Sequence, residues 1–213
     1  PVPEDSDGCV FVAPSPDGQW LACSNWGGII TLFSADGKTT RVLPSNRNAA
    51  RFRAVLFSAD SRRLATFAPG DPATVVWSVD GREVARFQPG GHPRRFSGDE
   101  LQLMLEPGPD RPEWQFMARR VGSPEERALG RVEPGSGWPD LASAGIVYAR
   151  DRGVFRRPFG SPVSTRADVE VGEHDVPVAG VNVHDGTGWI VSYDERREVR
   201  IWDGTTHRRL RTL

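Results

Sequence analysis

Four histidines, His92, His174, His184 and His207, are the residues of this chain best suited to move a proton or hold a metal. A metal site needs three or four donors at short, fixed spacing, and no three of the His, Cys, Asp and Glu residues show it. His184 and His207 fall in turns of one repeat and read as exposed turn residues. A serine nucleophile needs a sharp strand–turn–helix setting, which Gly135-Ser136-Gly137 lacks. No phosphate-binding glycine loop and no dinucleotide fingerprint is present. Asp17, Asp36, Asp80 and Asp185 precede a glycine or stand in a turn, where an aspartate organises backbone rather than a reaction. Paired carboxylates of the glycosidase type would have to line inner strands. The stretches that read as inner strands, Val10-Phe11-Val12, Ala54-Val55-Leu56-Phe57 and Gly180-Val181-Asn182-Val183, carry no acid.

Recognition chemistry is better supplied. Arginine groups recur as Arg51 and Arg53, Arg62-Arg63, Arg94-Arg95, Arg119-Arg120, Arg156-Arg157, Arg196-Arg197 and Arg208-Arg209. They read as solvated strands and turns, and neighbouring acids such as Glu125-Glu126 and Asp194-Glu195 cancel much of their field. The net charge of the 213 residues is −1, so no global attraction for nucleic acid or an anionic membrane is expected. No apolar run approaches membrane-spanning length, and no leader pattern opens the chain. Lys38 is the only lysine among 27 basic residues, the bias of a high-GC, bacterial type of genome. Cys9 and Cys23 are too few for a disulfide scaffold. They read as near-opposite residues of one hairpin, where a bridge is conceivable and small buried thiols are the expectation. A chain starting at Pro1 is expected to be a piece or product of something longer.

The elements that must position these residues are short strands. Gly 23 and Pro 18 supply turns, and 7 Trp against 2 Tyr fit an all-β chain. No stretch of a dozen residues carries a helical period. The strands repeat. A turn of the form Ser-x-Asp appears at Ser15-Pro16-Asp17, Ser58-Ala59-Asp60 and Ser97-Gly98-Asp99, with weaker versions at Trp138-Pro139-Asp140 and His184-Asp185. The aspartates lie 43, 39, 41 and 45 residues apart. A strand ending in an aromatic follows each turn: Ile30–Phe33, Thr74–Trp77, Trp114–Phe116, Gly153–Phe155 and Val199–Trp202. The first unit then reads as four strands, Cys9–Ala13, Trp20–Ser24, Ile29–Phe33 and Thr40–Leu43.

This pattern resembles the WD-repeat β-propeller family. Trp202-Asp203 is the dipeptide for which the family is named, and Gly91-His92 matches the Gly-His pair before its inner strand. The resemblance covers nearly the whole chain, degenerate in the third and fourth repeats. It implies an all-β propeller of four-stranded antiparallel blades: a polar segment 1–8, then blades 9–43, 53–88, 94–129, 138–170 and 178–213. In that family a buried hydrogen-bond chain joins a His, a Ser or Thr, an Asp and the strand-c Trp. His174, Ser192, Asp194 and Trp202 are the corresponding residues of the fifth blade, with Asp194 two residues further from the Trp than usual. The second blade offers Asp71 and Trp77 without a His. Most blades are therefore expected to hold by packing alone.

The resemblance also places partner contacts on the loops of one rim: Trp26, Arg47, Arg51, Arg53, His92, Arg94, Trp138, Arg150, Arg152, Tyr193 and Arg196. Trp, Tyr and Arg dominate binding hot spots. The function expected is a non-catalytic recognition or scaffold propeller without cofactor or metal, cytoplasmic, in a bacterial signalling or regulatory protein. Its partner would be another protein or another domain of the parent chain. The alternatives are a gate attached to a peptidase or hydrolase, and the sensor domain of a kinase or signalling ATPase. The family usually has seven blades. Five are expected to be an incomplete arc, with the missing blades supplied by the rest of the parent protein or a companion chain.

Overall fold

Turn chemistry and strand chemistry alternate every few residues, and the computed structural model follows that alternation. It describes residues 8–25, 27–44, 54–68, 72–133, 137–161, 168–184 and 186–213. The described residues hold twenty strands and no helix. They form five four-stranded sheets, each in simple chain order. Sheet 1 is β1 (Phe11–Pro14), β2 (Trp20–Ser24), β3 (Ile30–Ser34) and β4 (Thr40–Val42). Sheet 2 is β5 (Ala54–Phe57), β6 (Arg63–Phe67), β7 (Thr74–Ser78) and β8 (Glu83–Phe87). Sheet 3 is β9 (His92–Ser97), β10 (Glu100–Leu105), β11 (Trp114–Arg120) and β12 (Glu126–Val132). Sheet 4 is β13 (Asp140–Ala142), β14 (Gly145–Arg150), β15 (Gly153–Pro158) and β16 (Val169–Glu173). Sheet 5 is β17 (Val178–His184), β18 (Trp189–Asp194), β19 (Val199–Asp203) and β20 (Arg209–Thr212).

The chain divides into two compact units, residues 1–105 with 117–127, and 106–116 with 128–213. In the first unit, Ala22, Ile30 and Leu32 of sheet 1 pack with Val55, Leu64 and Trp77 of sheet 2. The other face of sheet 2 puts Ala65, Val76 and Phe87 against Leu101 and Leu103. That double covering buries Thr74, Val75, Val76 and Trp77 of β7 one after another, whereas burial alternates along β1. Among the described residues, the other face of sheet 1 carries exposed apolar side chains, Val12 at 48% and Val42 at 49%. In the second unit, Val147, Val154 and Val171 of sheet 4 meet Val181, Ile190 and Trp202 of sheet 5. The opposite face of sheet 5 carries the exposed side chains of Trp189 and Tyr193.

The Ser-x-Asp turns work as local clamps. Ser58 Oγ donates to Asp60 Oδ1 at 2.6 Å, accepts from the Arg63 amide at 3.0 Å, and Asp60 Oδ1 accepts from the Arg62 amide at 3.1 Å. Ser15 with Asp17 and Ser34 with Asp36 repeat the same set of bonds. The position after the Asp is left-handed: Gly18 has φ 69°, and Ser61 takes the same place at φ 59°. Ser61 offsets that cost by accepting the Asp17 amide of the neighbouring sheet at 3.0 Å. Two copies of the sequence pattern differ. Ser97-Gly98-Asp99-Glu100 leaves only two residues between β9 and β10, too short for the clamp, and Asp99 instead pairs with Arg63 at 3.0 Å. Asp140 is no turn residue. It opens β13, buried, and accepts the Leu141 and Val183 amides at 2.7 and 2.8 Å.

The clamps make an acid-sensitive scaffold. The serine hydroxyl, then the backbone amide, holds each of Asp17, Asp36 and Asp60 below the ordinary carboxylate range. Folded values below unfolded ones add stability above the unfolded pKa, and that stability is lost as pH falls through the folded values. Ser58→Ala, which strips Asp60 of its hydroxyl partner and leaves the Arg63 amide without an acceptor, is expected to cost about 1 kcal/mol. Urea titration at neutral pH measures it, and the deficit should shrink below pH 3.

Cys9 and Cys23 are bonded to each other, their Cα atoms 5.6 Å apart, which corrects the expectation of separate buried thiols. The β1–β2 ladder pairs Cys23 with Val12, and the residues ahead of β1 stay beside it, with the Val10 amide bonding to the Ser24 carbonyl at 2.8 Å, so that Cys9 comes within bridging range of Cys23.

Candidate functional site

Buried polar networks make the scaffold of the second unit rigid. In sheet 5, Trp202 Nε1 donates to Ser192 Oγ at 2.8 Å, Ser192 Oγ lies 2.7 Å from His174 Nε2, and His174 Nδ1 lies 3.2 Å from Asp194 Oδ2. One placement of protons satisfies all three contacts: Trp donates to Ser, Ser to the neutral imidazole, and the imidazole to the carboxylate. The extra two residues between Asp194 and Trp202 are absorbed in the turn, where Asp194 Oδ1 also accepts the Arg196 and Glu198 amides at 2.9 Å each. Burial pushes the Asp194 pKa up, but those amides and His174 outweigh it and hold the carboxyl low.

Ser192, His174 and Asp194 stand in the order of a hydrolytic triad. Ser192 is completely buried, however, and its hydroxyl is already occupied by Trp202. A substrate carbonyl has no approach to it in this fold. His174, Asp194 and Glu198 also bring ligand atoms within 4.8 Å of one another. Both imidazole nitrogens are engaged by protein partners, so the cluster offers a cation no free nitrogen.

Sheet 4 has a network that sequence reasoning missed. Arg157 Nε and Nη2 grip Asp168 at 2.7 and 2.9 Å, Nη1 donates to the Arg131 carbonyl at 2.5 Å, and Tyr148 Oη donates to the same carboxylate. The side chains of Arg157 and Asp168 are 4% and 1% exposed. This corrects two expectations: Arg157 is not a solvated arginine, and this blade does not rest on packing alone. Burial, then the bond to Asp168, raises the Tyr148 pKa to about 12. In sheet 2, Trp77 Nε1 donates to buried Thr66 Oγ1 at 2.9 Å, a half-network in which Thr66 takes the place that Ser192 holds in sheet 5. Asp71 lies outside the described residues.

On this scaffold the second unit presents aromatic side chains. Trp138 precedes β13, is 48% exposed, and lies against Trp114 with ring centroids 5.2 Å apart. Trp138 bridges to Gly180 of β17, and Gly180 is the register partner of Tyr193. Partners across strands share a face, so Trp138 and Tyr193 flank Gly180 on the same side. Gly180 is needed there, because a Cβ would sit 2.5 Å from Tyr193 Oη. Trp114, read from sequence only as a degenerate strand, is the residue missed.

The other expected contacts are dispersed. Arg150 lies over the Phe155 ring at 4.5 Å, Arg152 pairs with Glu173 at 2.8 Å, and Arg196 stands exposed at the Asp194 turn. In the first unit, His92 packs edge-on against Phe67 at 4.9 Å and Arg94 is half-buried on β9. Trp26, Arg47, Arg51 and Arg53 lie outside the described residues. No helix of the described residues is long and apolar enough to cross a membrane.

No protein-family profile and no curated protein matches the chain. Solved structures do. The C-terminal WD40 domain of Sif2 aligns over 96% of this chain and 57% of that one, with TM-score 0.66 and 16% identity. The β-propeller domain of Myceliophteria thermophila Cps50 (Swd1) aligns over 94% of this chain and 68% of that one, with TM-score 0.63 and 10% identity. The chain thus spans less than two thirds of the Sif2 domain. At such identity the likeness concerns architecture, and the fold of this chain is the WD40 β-propeller fold, represented by five four-stranded antiparallel blades.

Proposed function

We propose that the chain is a non-catalytic recognition propeller that binds another protein, or another domain of its parent chain, through the face of Trp114, Trp138 and Tyr193. The observation that carries this reading is the half-exposed Trp138 held beside Trp114, on a backbone tied to β17. Large rigid aromatics on fixed backbone supply contact area at low entropic cost, the property of interface anchors. The proposed setting is a bacterial signalling or regulatory protein. A cytoplasmic location suits the sequence, while the Cys9–Cys23 bond favours an oxidising one. Trapping thiols in intact cells decides between them.

The uncovered apolar faces of blades 1 and 5 support a second part of the proposal. Val12, Leu21 and Val42 on one, and Trp189 on the other, are side chains that further blades would cover. The rest of the parent protein or a companion chain would supply those blades.

Trp138→Ala and Tyr193→Ala test the recognition surface. Each is expected to weaken partner binding by about 30-fold, the scale of a 2 kcal/mol anchor. Stability should change by less than about 1 kcal/mol, as at other exposed positions. Quantitative affinity capture followed by titration of the retained protein reads the first, and thermal melting the second. Undiminished capture by both variants would defeat the assignment.

A further inference from the structure

Arginine 119 is the anomaly of the first unit. It stands on β11, its side chain only 7% exposed, beside the Phe87 ring at 5.9 Å. Its Nη1 donates to the Pro89 carbonyl at 3.0 Å. Its Nε lies 3.2 Å from Glu126 Oε2 but makes no aligned hydrogen bond there or elsewhere. Burial lowers its pKa, with Glu126 acting against that. Nη2 meets no acceptor among the described residues and, unlike Nε, is not sealed from solvent. A buried guanidinium normally satisfies its donors.

The solvent it reaches is a groove of about 410 Å³. Val84, Phe87 and Gln88 of the β8 side form one wall, and Ser123 of the β11–β12 turn with Glu126 at the start of β12 forms the other. β8 is the last strand of its sheet, so this wall is a strand edge, the element to which extended peptides add. The other charges of the groove are committed: Arg86 to Glu83 at 2.6 Å and Glu125 to Arg120 at 2.8 Å. Glu126 is 55% exposed and returns to water at little cost. Arg119 cannot leave.

We propose that this groove binds an extended peptide segment bearing an acidic side chain, whose backbone runs along β8 and whose carboxylate replaces Glu126 on Arg119. A planar guanidinium with two donors facing one side matches a carboxylate in two-point contact. The site is separate from the aromatic face of the second unit and does not depend on it.

The test uses the full 213-residue chain and a fluorescein-labelled probe, acetyl-Thr-Val-Glu-Val-Thr-Val-amide, with its Gln analogue, followed by anisotropy. The Glu peptide is expected to bind about tenfold more tightly than the Gln peptide, the effect of one charge-assisted contact. Arg119→Gln should abolish that preference. Glu126→Gln, a near-isosteric change that keeps an amide oxygen beside Arg119 and whose folding is verified by thermal melting, should tighten the Glu peptide by about three- to tenfold by removing the internal competitor. Equal binding of the two peptides, or a Glu126→Gln variant that binds no better, would overturn the proposal. So would inorganic phosphate alone binding as tightly as the Glu peptide, which would make the site one for free anions.

Discussion

Arg157→Met is expected to destabilise the chain by about 3–5 kcal/mol, because it leaves the Asp168 carboxylate buried without its cation. The carboxylate is 1% exposed and receives two of the guanidinium's bonds. The side chain of Met fills much of the arginine stem, so the loss reports the charge more than the volume. The double variant Arg157→Met/Asp168→Asn should recover part of the loss, since removing both charges costs less than stranding one. Denaturant titration of the two variants against the parent measures this. A double variant as unstable as the single one would show that packing, and not the pair, is what Arg157 contributes.

The same network sets two limits in pH. Burial pushes the Asp168 carboxyl up, but its bonds from Arg157 and Tyr148 win and hold it below the ordinary value. Its contribution is therefore present above the unfolded carboxylate pKa and lost as pH falls through the folded one. Tyr148 has the opposite sign. Its pKa is raised to about 12, so the stability from keeping the phenol neutral is complete below the unfolded value. It is lost as pH rises through the range between about 10 and 12. Tyr148→Phe should flatten the alkaline limb and, by removing one of the two bonds that hold Asp168 low, move the acid limb toward higher pH, with Arg157 still carrying the rest of it.

Ser192→Ala should cost about 2–6 kcal/mol, since it strands two buried groups, the Trp202 indole N–H and His174 Nε2, at about 1–3 kcal/mol each. Gly172 shows how little room exists for rearrangement: a Cβ there would sit 2.2 Å from the Trp202 ring. The indole cannot swing toward a new acceptor on that side. The triad-like order of Ser192, His174 and Asp194 predicts hydrolysis only if Ser192 can be reached. An organophosphorus probe is expected to leave the folded chain unlabelled, and stoichiometric labelling lost in Ser192→Ala would mean the serine is a nucleophile after all.

What the sequence could tell by itself was whatever depends on near neighbours. The Ser-x-Asp clamps close within five residues, so Ser58-Ala59-Asp60 announces its turn without knowledge of the rest. The blade period follows from the spacing of such turns. The fifth-blade network was also legible, because His174, Ser192, Asp194 and Trp202 keep a recognisable order within one repeat.

Tertiary structure decided the matters in which a residue's meaning depends on what covers it. Arg119-Arg120 and Arg156-Arg157 look alike as dipeptides. Alternation along β11 and β15 turns Arg119 and Arg157 inward, where Phe87 and Asp168 wait, and leaves Arg120 exposed. Trp114 and Trp138, separated by the turn of blade 3 and its outer strand, become one surface only once that strand has returned. Cys9 lies ahead of the paired residues of β1 and meets Cys23 only because the folded chain brings their Cα atoms to 5.6 Å. A strand's side-chain period is two, so one step of register moves a residue between core and solvent. Composition does not carry that step; pairing with the neighbouring strands does.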